Sequence, residues 1–350
     1  MLNAKVKPEE IKNILIIRDD HLGDLICSLP TVVAVRKQFP TSQITILVSE
    51  PCKEIVENHP AVDSFLVKIK KKRGAFCGII NFWERLMLLY DIRSRKFDLV
   101  IALRSRFCTR HAWMAGLSGA RYRVGHKSPR LKHFFHNLAY NIFPANYNPE
   151  QHELMRTYDI VRVLGVPLND VTFDIRTTPD QDSLVETFLK THGVSDGEPM
   201  VCYHLSASKP KKQWPPESII SLIDMVQSRY PLVVNVVTYD PFNLEHRDFL
   251  QRYAKDDILV FESREFMQLA ALYRKSRIVV SLDGAPMHLS AALGIPTLGI
   301  FEAETTMYWE PWGEGNISIS GKGELESLSP EAVFNKLEIL IRKHISDISG

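Results

Sequence analysis

The sequence predicts an α/β protein built as two doubly wound, mainly parallel sheets, and three observations carry that prediction. Short runs of near-continuous Ile, Leu and Val alternate with amphipathic stretches along the chain. A strand covered on both faces reads as an unbroken apolar run, whereas a strand with one wet face alternates. The arrangement occurs twice, once in each half, and 350 residues correspond to about two domains at ~150 residues each.

In the first half, NILIIR (13–18), QITILV (43–48), DSFLV (63–67) and FDLVIAL (97–103) read as strands, with helices near 30–38, 51–58 and 79–95. HELMRTYDIVRVLG (152–165) reads as a helix ending in a glycine stop. In the second half the strands are MVCYHL (200–205), LVVNVVT (232–238), ILVF (258–261), RIVVSL (277–282) and PTLGIF (296–301). Helices are expected near 215–229, 243–254, 265–275 and 286–293. PEAVFNKLEILIRKHI (330–345) opens on a helix-start proline and carries an apolar stripe. The expected boundaries are residues 1–172, residues 173–328 and a closing helix, 329–350, packing back across both domains. The crevice between two such domains is the default ligand site.

A composition of 45% hydrophobic and 24% charged residues excludes collagen-like, low-complexity and wholly disordered chains. The five cysteines are scattered without a CxxC pair, which fits reduced thiols rather than a disulfide scaffold or zinc ribbon. The polar start MLNAKVKPEE is no secretory leader, and no apolar run approaches the ~20 residues of a membrane span. A cytoplasmic location is expected. Charge is divided: residues 1–175 are net +9 and residues 176–350 net −7, so the domains either face different partners or share the charges by chance.

Three segments could carry chemistry. RDDHLGDLICSLP (18–30) places Gly23 in a strand-to-helix turn and Asp24 at the edge of the helix. That carboxylate could cap the helix or serve as a general base. HLSASKPKKQWPPE (204–217) offers Ser206, Ser208 and Lys212 before a Trp-Pro helix start; it reads either as a diphosphate-binding loop or as a solvated basic one. SLDGAPMHLSAALGIP (281–296) ends a strand at Asp283, turns at Gly284-Ala285 and carries His288 in the first helical turn, beside N–H groups that favour phosphate. Neither GxGxxG nor Walker A occurs.

Taken in order, GDLICSLP, the Lys-x-Trp-Pro loop, D-x-x-PMHL-x-AALG-x-P, the helix 152–165 and EPWG (310–313) resemble glycosyltransferase family nine, the bacterial ADP-heptose:lipopolysaccharide heptosyltransferases. The resemblance spans about residues 13–315. It implies a GT-B fold, with an acceptor-binding Rossmann-like domain followed by a nucleotide-sugar-binding one, and metal-independent inverting transfer without a cofactor. It assigns Asp24 as the base on the acceptor hydroxyl and Lys212 and Ser208, with Ser206, to the donor diphosphate. Asp283, His288 and the Gly284-Ala285 backbone would hold the sugar-phosphate region, and Glu245 the nucleoside. The sequence departs from the family where Gly284-Ala285 follows the late Asp and where Ala207-Ser208 replaces a Thr pair. Transfer of another nucleotide sugar to a different surface glycan, or a non-catalytic sugar-nucleotide-binding homologue, are the alternatives.

For the acceptor, an anionic lipopolysaccharide core, the expected contacts are Arg18, His21, Gly23, Arg104, Arg121, Arg123 and Lys127. The basic run KIKKKR (68–73) precedes a helix whose Ile79, Phe82, Trp83, Leu86, Met87 and Tyr90 share one face. That face suits either a core helix or peripheral contact with the cytoplasmic side of the inner membrane. No nucleic-acid-binding motif accompanies the cations. Asp180-Gln181-Asp182 follows Thr-Thr-Pro and is expected to open a helix rather than bind metal.

Overall fold

The chain divides into two units, Met1–Arg176 and Thr177–Gly350. The computed structural model describes residues 6–68, 77–144, 148–167, 169–254, 257–303 and 308–345. Residues 69–73 of the basic run lie outside the described residues, as does the side chain of Ile79.

Unit 1 runs β1 (Asn13–Arg18), α1 (Leu22–Gln38), β2 (Gln43–Ser49), α2 (Lys53–Glu57), β3 (Ser64–Lys68), α3 (Cys77–Ser94), β4 (Leu99–Ala102), α4 (Thr109–Leu117), β5 (Tyr122–Val124), α5 (Phe134–Asn137) and α6 (Glu153–Arg162). Its sheet has the order β3-β2-β1-β4-β5, and every pairing is parallel. Ile14, Leu15, Ile16 and Ile17 of the central strand are all fully buried, as an apolar run without alternation requires. The first helix differs from expectation: it begins at Leu22, immediately after the turn, and carries Pro30 in its interior. Proline removes one backbone donor, which is why its sequence reads as a start there. α6 packs along α1, capped by His152, whose ring accepts the Leu154 N–H at 3.1 Å, and Gly165 follows it at φ +77°.

Unit 2 runs α7 (Pro179–Thr191), β6 (Met200–His204), α8 (Pro216–Arg229), β7 (Val234–Thr238), α9 (Leu244–Tyr253), β8 (Ile258–Phe261), α10 (Phe266–Lys275), β9 (Ile278–Leu282), α11 (Ala285–Ala292), β10 (Thr297–Phe301), β11 (Ile317–Ser320) and α12 (Pro330–His344). The sheet order is β11-β10-β9-β6-β7-β8, again wholly parallel. Trp214 is fully buried in the core of this unit, its indole N–H donating to the Leu328 carbonyl at 3.0 Å. α12 packs on α8 and β9 within this unit. Thr178 and Gln181 form a reciprocal capping box at α7, which places Asp180 and Asp182 in its first turn, where the helix dipole favours acids.

Candidate active site

Each sheet reverses its winding once. In unit 1 the chain moves outward from β1 to β3, then returns to lay β4 on the other side of β1; in unit 2 the reversal falls between β6 and β9. Loops leaving the two strands at such a point diverge and open a crevice at their C-terminal ends. The turn holding Asp24 leaves β1 and the loop holding Arg104 leaves β4. Likewise, the lysine-rich loop leaves β6, and Asp283 leaves β9.

In unit 1, Arg18 at the end of β1 is completely buried. Its guanidinium donates to the Asp24 carbonyl at 3.2 and 3.0 Å, to Asp24 Oδ1 at 3.2 Å, to Leu103 O at 2.9 Å and to Glu153 Oε1 at 3.0 Å. Asp20 Oδ1 lies 3.4 Å from its Nε. Burial lowers the pKa of Arg18, but Asp20, Asp24 and Glu153 outweigh it and raise the value. Asp24 stands in the first turn of α1 with 20% of its side chain exposed. Burial raises its pKa to about 6; Arg18 and His21 pull it down, while Asp20 and Glu153 push it up. A carboxylate poised there is largely ionised at neutral pH and basic enough to share a proton.

Beside it, Asp19 is fully buried and accepts from Arg110 at 2.7 Å, with His111 Nε2 also at 2.7 Å and Lys68 Nζ at 3.1 Å. Burial opposes its ionisation, yet His111 and Arg110 hold its carboxyl well below the ordinary range. This cluster ties the ends of β1 and β3 to the start of α4.

In unit 2, adjacency of β6 and β9 brings Lys212 onto Asp283 Oδ2. Lys211 pairs with Glu302 at 3.0 Å, and Ser208 is exposed on the same loop. Gln213 staples the loop, accepting from Ala207 N–H at 3.0 Å and donating to Leu205 O at 2.7 Å. Gly284 caps α11 with extended backbone, and Ala285 opens it. His288 is buried in that helix, its ring 5.8 Å from Trp309. Ser206 faces inward: its hydroxyl meets His246 Nδ1 at 2.8 Å and accepts from Asp240 N–H at 2.8 Å. Glu245 is exposed in the first turn of α9. Burial lowers the pKa of neighbouring His246 and takes that of His204 down to about 3, so both are neutral at pH 7.

Several expected contacts stand elsewhere. Arg18 is buried, and its guanidinium is engaged by internal bonds to Asp24, Leu103 and Glu153. Arg121 precedes β5, at the edge of the sheet opposite Asp24, and pairs with Glu10 at 3.4 Å. Arg123 is consumed by the carbonyls of Ala139 and Ala120 at 2.6 and 2.5 Å. His21, Gly23, Arg104 and Lys127 remain at the C-terminal side of the strands. Arg104 is exposed, 3.9 Å from Asp20, and Lys127 sits 3.8 Å over the Phe143 ring. Glu153 and His246 were not singled out by sequence. The signal for Glu153 was a carboxylate opening an otherwise apolar helix stripe, and for His246 a histidine next to Glu245.

Two wholly parallel α/β units, each with a switch point at which ligand-facing loops diverge, are the architecture of GT-B glycosyltransferases. The family model of glycosyltransferase family 9 (heptosyltransferase) matches residues 85–337. The chain belongs to that family and is a glycosyltransferase. It is 22% identical over 301 residues to lipopolysaccharide heptosyltransferase 3 of Escherichia coli K12, covering 84% of each chain. It is 24% identical to lipopolysaccharide heptosyltransferase 1 of Salmonella typhimurium, covering 93% of this chain and 96% of that one. Among solved structures, a family 9 glycosyl transferase from Veillonella parvula superposes with a TM-score of 0.81 at 20% identity, covering 95% and 97%. E. coli heptosyltransferase WaaC with ADP gives 0.74 at 20% identity, covering 94% and 99%.

Proposed function

We propose that the chain transfers heptose from ADP-heptose to a lipopolysaccharide inner-core acceptor with inversion at the anomeric carbon. The observation that supports this most is the state of Asp24: a part-exposed carboxylate at a sheet switch point, oriented by a buried arginine and raised to about 6. The acceptor hydroxyl attacks the anomeric carbon as its proton passes to Asp24. The bond from that carbon to the diphosphate breaks, and ADP leaves with the electron pair.

The departing diphosphate gains negative charge, so fixed positive groups act mainly at the transition state. Lys212 supplies an ammonium, the α11 N-terminus a partial positive charge, and Ser208 a hydroxyl. Asp283 and His288, with the Gly284-Ala285 backbone, hold the sugar-phosphate region, and Glu245 faces the nucleoside. Ser206 supports the loop through His246. His21, Gly23, Arg104 and Lys127 serve the acceptor, which is anchored in a bilayer; unit 1 therefore works at the cytoplasmic face of the inner membrane.

A thermal-shift panel of nucleotides and nucleotide sugars tests the donor. A ligand at 100 times its dissociation constant adds about 2.7 kcal/mol of stability. Stabilisation by ADP and ADP-heptose but not UDP or GDP is expected. Preference for another nucleotide would retain a transferase and remove the heptose assignment, and binding without turnover on any core acceptor would leave a binding homologue.

A further inference from the structure

Unit 1 carries a surface that the transfer chemistry does not use. Among the described residues, sixteen large apolar side chains are exposed, and ten of them lie between Phe82 and Leu138. Helix α3 presents Phe82, Trp83, Leu86, Met87 and Tyr90, at 44–72% exposure. A helix burying this face in a core would leave them dry, so the core-helix alternative fails for these five. Helix α4 adds Trp113 and Leu117, and α5 with its following turn adds Phe134, Phe135 and Leu138.

The three helices are one surface. α4 packs on α3 and on α5, Trp113 lies 5.4 Å from the His136 ring, and Arg93 donates to Leu117 O at 3.4 Å. Isolated exposed apolar groups are ordinary, but a continuous patch of this kind marks a place of contact.

Charge identifies the occupant. Residues 77–138 contain twelve Lys and Arg against three acids, Glu84, Asp91 and Asp98; with Arg95, Arg110, Arg121 and Arg123 held by Asp91, Asp19, Glu10 and backbone carbonyls, positive charge is still in excess. Asp91 is already paired with Arg95 at 2.9 Å, and Asp98 accepts the N–H groups of Lys12 and Asn13. Arg85, Arg130 and Lys132 are exposed among the apolar side chains. A second copy of this face would bring the same excess of positive charge, so self-association through it is opposed. Aromatic rings that sit at headgroup depth, with cations between them, match the interface of a bilayer carrying anionic lipid. No described helix is long and apolar enough to cross a membrane, so this contact lies in the plane of the surface.

We propose that the outer faces of α3, α4 and α5 together dock unit 1 on an anionic lipid bilayer. The inference rests on the reading of a membrane-anchored acceptor and deepens it by naming the surface and the lipid charge it requires. Cosedimentation of the full chain with phosphatidylcholine vesicles, alone or with roughly a third phosphatidylglycerol, tests it. Wild type should partition onto the anionic vesicles and release at high salt. Trp113→Ser/Phe134→Ser/Phe135→Ser should bind on the order of tenfold or more weakly, since three interfacial rings are lost. Arg130→Glu/Lys132→Glu should lose at least as much, most at low salt.

Equal sedimentation of all three proteins would overturn the proposal. So would a wild-type dimer that the apolar variant makes monomeric while vesicles bind neither. The ADP-heptose thermal shift, read on the same samples, separates the two conclusions. A shift without vesicle binding removes the docking surface and keeps the transferase; vesicle binding without a shift does the reverse.

Discussion

Replacing Asp24 by asparagine is expected to stabilise the folded chain at neutral pH while stopping turnover. In the fold the carboxyl is raised from an ordinary 3.8 to about 6, chiefly by burial. At ~1.4 kcal/mol per tenfold, ionising it in the native state is disfavoured by about 3 kcal/mol. With a fifth of the side chain exposed, solvent screening reduces the expected effect to about 2 kcal/mol. The sign follows from linkage. A raised native pKa gives stability that is complete below the unfolded value and is lost as pH rises through about 6. Asparagine keeps an oxygen for Arg18 and carries no charge to desolvate, so it avoids that loss. Urea unfolding of wild type and Asp24→Asn should therefore coincide near pH 3 and diverge by about 2 kcal/mol at pH 7.5, the variant being the more stable. Turnover should fall by a factor of about 10²–10⁴, the usual contribution of a general base. A variant less stable than wild type by 1 kcal/mol or more at pH 7.5 would show that attraction to Arg18 outweighs burial, and the pKa argument for Asp24 would be wrong.

Four further outcomes follow from the same structure. The acid limb of kcat/KM should have its midpoint near pH 6, with activity at pH 5 about tenfold below its plateau. Glu153→Gln should move that limb to lower pH, because it removes a negative neighbour that raises Asp24; an unmoved limb would separate Glu153 from the base. Lys212→Ala should weaken ADP binding by about tenfold or more, measured calorimetrically, since a charge-assisted contact is worth about 1.5–3 kcal/mol. Thr178→Ala, which removes the capping box on α7, should cost about 1 kcal/mol in unfolding and leave kinetics unchanged.

Much of this architecture was legible because central parallel strands are dry on both faces. NILIIR and MVCYH declare themselves by unbroken apolar residues, and the loops leaving them hold Asp24 and Lys212. The edge strands were not legible. YRV in β5 is three residues long with an arginine between its two buried side chains, and ISIS in β11 is short and only partly buried, so no apolar run announces them. α1 was shortened because Pro30 reads as a beginning, whereas tertiary packing carries the helix through it. The support of the candidate site was the least accessible part. Arg18 meets Glu153 across 135 positions of sequence, and no local pattern joins them. Cations in one stretch, Arg104, Arg121, Arg123 and Lys127, looked equivalent as letters; strand direction sent Arg121 to the far edge of the sheet.

The reversal of winding that creates each crevice also dictates the order in which a nascent chain can complete its sheets. β6 ends at His204, but its neighbour β9 begins only at Ile278. At ~5–20 residues per second of synthesis, one side of that strand waits on the order of 4 to 15 s for its partner. β1 waits similarly for β4, from Arg18 to Leu99. During each interval a highly apolar strand offers unpaired N–H and C=O groups, the template on which chains join wrongly. The same reversal that opens a ligand crevice makes ribosome pace and chaperone cover part of the yield of active protein.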